Sequence, residues 1–170
     1  MSYIGIDVSA YQGTIDWAKV KASGIQFAIL KIIRKDLNRD KQFEANWKGC
    51  TENDIPIQSV YNYSYAINVT KSRNDAHKVV EILNGRETMV FLDVEDDCQK
   101  GLGNKLIDII NAYGDVIRSY GLAFGVYTGK SFYNSYIKPY GGVKYPMWIA
   151  AYGKNKGNMD LKYQPQVENL

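Results

Sequence analysis

The chain has 170 residues, 45% hydrophobic and 23% charged, with a net charge of +3. That supports one domain with a real core and lacks the basic stripe of a nucleic-acid binder. It holds no apolar run long enough to span a membrane, and its start, MSYIGIDVSAYQG, has neither the basic nor the apolar region of a secretory leader. A single histidine, His77, argues against zinc clusters and other multi-histidine metal sites; its setting, NDAHKVVEIL, reads as the surface of an amphipathic helix. Cys50 and Cys98 lie far apart and are expected to be free thiols of a reducing compartment.

In chain order, YIGIDVS (3–9) predicts a strand, and 15–23 a helix that Gly24 stops. FAILKII (27–33) predicts the second strand. Phe43, Trp47 and Cys50 then fall on one helix face. IQSVYNYSYA (57–66) predicts a tyrosine-rich strand, 72–84 a helix, MVFLDVE (89–95) a strand and 104–120 the longest helix. AFGVYT (123–128) is a strand, 130–137 a short helix and MWIAAY (147–152) the sixth strand. Apolar strands alternating with helices imply a parallel sheet, either open and doubly wound or curled into a barrel. No glycine-rich phosphate motif follows any strand, so no nucleotide cofactor is expected.

MVFLDVEDDC (89–98) passes from apolar to acidic within a few residues. Alternation puts Val90, Leu92 and Val94 on one face and Phe91, Asp93 and Glu95 on the other. The aliphatic face suits a layer of helices, and the acidic face suits a cleft. Other strands place polar and aromatic groups at the same end: Asp7, Lys31, Tyr61, Tyr63, Tyr65, Tyr127, Trp148 and Tyr152. Carboxyl ends of parallel strands are where α/β active sites form. Carboxylates ringed by flat aromatics suit glycoside cleavage, which needs a general acid and a negative group beside an oxocarbenium-like transition state. Crowding should hold one acid protonated near neutral pH. A divalent-cation site built from Asp7, Asp93 and Glu95 satisfies the same residues. Asp96 and Asp97 are read as loop acids capping the next segment, and Tyr61, Trp17 and Trp47 as core. Lys31 is read as either a carboxylate's partner or a substrate contact.

With those residues in view, the chain resembles the glycoside hydrolase family 25 lysozymes, the N-acetylmuramidases. The resemblance is carried by GIDVSAYQGTIDWAKVKASGIQFAILK, VYNYSYA, FLDVED, GVYTGKSFY and MWIAAYG, in order. It implies an irregular (β/α)5(β)3 TIM-like barrel over 1–170. It also implies cleavage of the β-1,4 bond between N-acetylmuramic acid and N-acetylglucosamine in bacterial peptidoglycan, without cofactor or metal. Glu95 would be the general acid/base, Asp93 an orienting or stabilising group and Asp7 an electrostatic support. Lys31, Tyr63, Tyr65, Tyr127, Trp148 and Tyr152 would contact the glycan strand. Asn62 stands where the family usually has histidine, but faces away from the tyrosines. The family's closing W-Q-Y strand and its last cleft aspartate have no counterpart before Leu170, so a catalytic domain lacking its final strands is expected, with a wall-binding domain following it.

The expected setting is a phage or prophage endolysin, cytoplasmic until lysis; a bacterial autolysin of the same chemistry is the near alternative. A non-catalytic sugar-binding barrel would keep Tyr63, Tyr127 and Trp148 and could dispense with Glu95. A deacetylase would want more histidines.

Overall fold

The computed structural model describes residues 3–151. Six strands form one parallel sheet in sequential order: β1 (Gly5–Val8), β2 (Phe27–Ile33), β3 (Ile57–Tyr63), β4 (Met89–Asp93), β5 (Phe124–Gly129) and β6 (Met147–Ala150). Between them run α1 (Trp17–Ala22), α2 (Phe43–Glu52), α3 (Val69–Leu83), α4 (Asn104–Ser119) and the single turn α5 (Lys130–Phe132). Residues from β1 and β6, the two edges of this order, line one cavity, so the sheet curls into a half-barrel. This settles the open-or-curled alternative in favour of the TIM-like one.

Local chemistry explains the element boundaries. Asp16 caps α1 by accepting from Lys19 N–H at 3.1 Å. Helix α3 starts three residues before the predicted 72 because Asn68 caps it, accepting from Lys71 N–H at 2.8 Å. The predicted helix at 130–137 is instead α5 followed by a wider π-type turn at Tyr133–Ile137. Strand β4 ends at Asp93, two residues earlier than predicted. Val94 N–H nevertheless donates to the Tyr127 carbonyl at 2.9 Å, so the chain keeps its alternation out to Glu95.

The core lies between the outer face of the sheet and the helices. Leu30, Val60, Val90, Leu92, Val94 and Val126 are buried there against Phe43, Val79, Leu106, Ile110, Tyr113 and Ile117. Each large aliphatic side chain so buried contributes roughly 1.5–3 kcal/mol. Trp17 is buried and Trp47 packs on the same cluster, as the sequence predicted. Asn62 also points outward and donates to the Tyr113 hydroxyl at 3.3 Å beneath α4. Both cysteines are free; Cys50 is buried and its thiol is pushed up to about 12 by burial, whereas Cys98 is exposed. His77 is exposed on α3. Among the described residues, no helix is long and apolar enough to cross a membrane.

Candidate active site

The inner face of the half-barrel is built in rows. Register places Lys31 beside Tyr61, Tyr61 beside Phe91 and Phe91 beside Gly125. One row nearer the carboxyl end run Tyr63, Asp93, Tyr127 and Trp148, each in register with the next. Gly125 makes room for the lower row: a Cβ there would lie 2.5 Å from the Phe91 ring. That space lets Phe91 lie against Trp148, ring centroids 5.8 Å apart, and Trp148 meet Tyr127 edge to face at 4.6 Å.

These rows enclose a cavity of about 450 Å³ walled by Asp7, Lys31, Tyr61, Tyr63, Asp93, Glu95, Tyr127 and Trp148, with Tyr11 at its mouth. A larger hollow of about 610 Å³, lined by Ile107, Arg118 and Tyr145 among others, contains none of the predicted site residues. The structure thus brings all three predicted catalytic acids into one cavity with four of the six predicted substrate contacts. Tyr65 lies outside the cavity wall and packs behind Tyr63, centroids 5.0 Å apart. Tyr152 falls outside the described residues. Tyr61, expected in the core, instead lines the cavity, because alternation from Tyr63 carries it to the inner face. Lys31 serves that wall, its ammonium 5.9 Å from the Tyr61 ring centre and 5.6 Å from that of Tyr63.

Tyr11 is the residue missed from sequence. It sits 92% exposed on the loop after β1, which is held shut by a reciprocal cap: Ser9 N–H donates to Gln12 Oε1 at 2.8 Å, and Tyr11 N–H to Ser9 Oγ. Buried Asp40 fastens this loop to the sheet by accepting from Ala10 N–H at 3.2 Å. The signal was the S-x-x-Q-G pattern itself, which frames one aromatic beside the Asp7 strand.

Asp93 is 5% exposed and its Oδ1 has no hydrogen-bond partner among the described residues. Burial first, then the neighbouring Glu95 charge, pushes its carboxyl up to about 8; Lys31 opposes this. Glu95 is also raised, by burial, although the Gly129 N–H favours its charged form. Crowding was expected to hold a proton in the cleft, and burial proves the larger cause. Gly129 lies close to this carboxylate: a Cβ there would sit 3.4 Å from Glu95 Oε2, in ordinary contact. Thr128 completes the mount, its hydroxyl donating to the Val94 carbonyl at 2.6 Å. Asp96 caps the turn at Asp97–Gln99, as predicted, and accepts from the Tyr63 hydroxyl at 3.3 Å. Among the described residues, no three His, Cys, Asp or Glu side chains group as a metal-holding set.

Fold and site together define a parallel α/β half-barrel with an acid-floored, aromatic-walled cleft at the carboxyl end of its strands. The profile of the glycosyl hydrolases family 25 matches residues 6–167, and the chain belongs to that family. It is 26% identical over 163 residues to the autolytic lysozyme of Clostridium acetobutylicum, covering 94% of this chain and 48% of that protein. Among solved structures it resembles the modular Cpl-1 endolysin at a TM-score of 0.80 and 18% identity, covering 96% of this chain and 48% of the other. It also resembles the catalytic domain of endolysin ply40 from bacteriophage P40 of Listeria monocytogenes, at 0.75 and 22%, covering 99% and 80%. At those identities the two structures speak for the fold alone. The chain spans about half the length of the curated relatives it matches.

Proposed function

We propose that this chain hydrolyses peptidoglycan glycan strands at the β-1,4 bond between N-acetylmuramic acid and N-acetylglucosamine. The observation that carries the reading is the pairing of Asp93 and Glu95 on one face at the end of β4, sunk in an aromatic cavity, in a family 25 chain. A cleft that retains a proton while offering a second carboxylate meets the demands of glycoside cleavage.

Glu95 is the acid/base of the proposed reaction. It is the more accessible of the pair, and its proton passes to the glycosidic oxygen as the C1–O bond breaks. The substrate's own 2-acetamido oxygen closes on C1; water then adds there, returning a proton to Glu95 and freeing the acetamide. In this reading Asp93 holds the acetamide group rather than attacking C1 itself. A carboxyl oxygen accepts a hydrogen bond from the acetamide N–H. The Asp93 Oδ1, which has no partner among the described residues, is available for that bond. Asp7 supplies negative charge across the cavity, and Tyr63, Tyr127 and Trp148 offer flat faces to the sugar rings. Host lysis is the setting we propose; autolysis, which the name of the Clostridium acetobutylicum relative carries, uses the same chemistry.

Digestion of purified peptidoglycan by the chain and by its Glu95→Gln variant tests the reading. New reducing ends from the unaltered chain alone, surviving EDTA, are the expected result. New free amines instead would point to peptide or amide cleavage and sink it. Loss of activity in EDTA would favour a cation site at Asp7, Asp93 and Glu95. An aryl glycoside with a good leaving group should restore bond cleavage to Glu95→Gln but not to Asp93→Asn, which separates the acid from the group that holds the acetamide.

A further inference from the structure

The aromatic wall continues past the cavity. Tyr63 faces the acids, Tyr65 packs on its outer side at 5.0 Å, and the Lys35 ammonium sits 4.5 Å from the centre of the Tyr65 ring. Tyr11, which also lines the cavity, stands close enough to act electrostatically on the Tyr65 hydroxyl. The cleft's charge makes this outer step distinctive. Asp7, Glu95 and Asp96 border the path, so a glycan carrying a negative substituent would be repelled unless a cation met it. Lys31 is enclosed by Tyr61 and Tyr63 and already opposes the Asp93 charge. Lys35 is exposed beyond the cavity wall, seated on the Tyr65 ring rather than ion-paired to a carboxylate among the described residues. Asp96, its nearest acidic influence, is engaged by the Tyr63 hydroxyl and the Cys98 N–H.

We propose that Tyr65 and Lys35 form an outer subsite in which the ring supports a sugar and the ammonium binds a carboxylate on the muramyl side chain. This rests on the muramidase reading for its substrate class. The carboxylate is either that of the free lactyl ether or one on an attached stem peptide. Lys35 therefore selects glycan by the charge state of its muramyl substituent, and amidation of that group weakens binding.

The test uses binding, so that it stands apart from turnover. Four soluble GlcNAc–MurNAc tetrasaccharides are titrated calorimetrically into the full chain carrying Glu95→Gln: with the free lactyl acid, with its amide, with a short acidic stem peptide, and with that peptide amidated. The acid of at least one pair should bind about threefold to fivefold more tightly than its amide at low salt, the size of an exposed charge pair. That preference should shrink at high salt. Adding Lys35→Met should reduce it to near unity, and Lys35→Arg should restore it. The pair that responds identifies the carboxylate. Absence of preference in both pairs, or a preference that survives Lys35→Met, overturns the proposal. Hydrolysis of the same oligosaccharides by the chain with Glu95 intact is read separately. No new reducing ends alongside a Lys35-dependent preference would sink the muramidase reading and leave the subsite standing.

Discussion

Asp75 and Asp93 are buried to nearly the same depth, 3% and 5% exposed, yet the molecule treats them in opposite ways. Asp75, on the helix side, accepts from Lys71 Nζ at 2.9 and 3.2 Å, which counters the upward push of burial. Glu44, on the same side, is gripped by Arg86 at 2.6 Å and Arg39 at 2.8 Å and is held below the usual carboxylate range, chiefly by the Arg86 hydrogen bond. Asp93, at the carboxyl end of the sheet, keeps an oxygen without a partner among the described residues and is pushed up to about 8. Buried polar groups are ordinarily satisfied, because leaving one unmade costs about 1–3 kcal/mol. The helix side follows that rule for stability. The cleft breaks it, and a break of that kind at a cavity marks a group kept for a ligand.

Four substitutions sharpen or break this contrast. The largest expected effect is at Glu95: Glu95→Gln should lower reducing-end release by about 10²–10⁴-fold, the usual worth of a positioned acid/base, while leaving the thermal midpoint nearly unchanged. A variant that kept its activity would remove Glu95 from the chemistry.

Asp93→Asn should cost about 10²-fold or more in activity and yet stabilise the fold, since a strained site trades stability for function. The sign follows from linkage. The Asp93 carboxyl is raised from 3.8 to about 8, so the folded state keeps a proton that the unfolded chain has released. Its contribution to stability is fully present below about pH 4 and is lost as pH rises through about 8. The variant's advantage in melting temperature should thus grow from pH 4 to pH 8, by roughly 5 °C at the upper end. A lower midpoint at pH 8 would mean that Asp93 is structurally satisfied after all. Activity should also fall as pH rises through about 8, when the pair loses its shared proton.

On the helix side the pattern should reverse. Lys71→Met strands the Asp75 carboxylate and should cost about 3 kcal/mol of stability, read by urea denaturation, with kcat/KM retained. Arg86→Ala removes the grip on Glu44 and the stacking over Trp47, at 4.8 Å. Its cost should be smaller, about 1–2 kcal/mol, because the pair is partly exposed. Loss of turnover without loss of stability in either variant would erase the distinction between the two sides.

Much of this was legible in one dimension. Period-two alternation in MVFLDVE separated the helix-facing residues from the cleft-facing ones, and both the outward Val90, Leu92 and Val94 and the inward Phe91, Asp93 and Glu95 are found so. Alternation works because a strand offers a side chain only two directions. Tyr61 was misread as core although its parity with Tyr63 already pointed inward; tyrosine's liking for strands outweighed the pattern. Tyr65 shares that parity but lies past the end of β3, where alternation no longer dictates direction, and it packs behind Tyr63 instead. Tyr11 carried no periodic signal at all, being placed by a loop cap and by Asp40, thirty residues away in sequence.

The sequence by itself determined the order of strands and helices, the face each strand turns to the cleft and which acids stand at the strand ends, because these follow from local periodicity and residue type. Only the tertiary structure decided that β1 and β6 share a cavity, that Asp93 rather than Glu95 is the more strongly shifted acid, and that Lys35 is seated on Tyr65. Each of those depends on how far the sheet curls and how much water it excludes, which are properties of all six strands together.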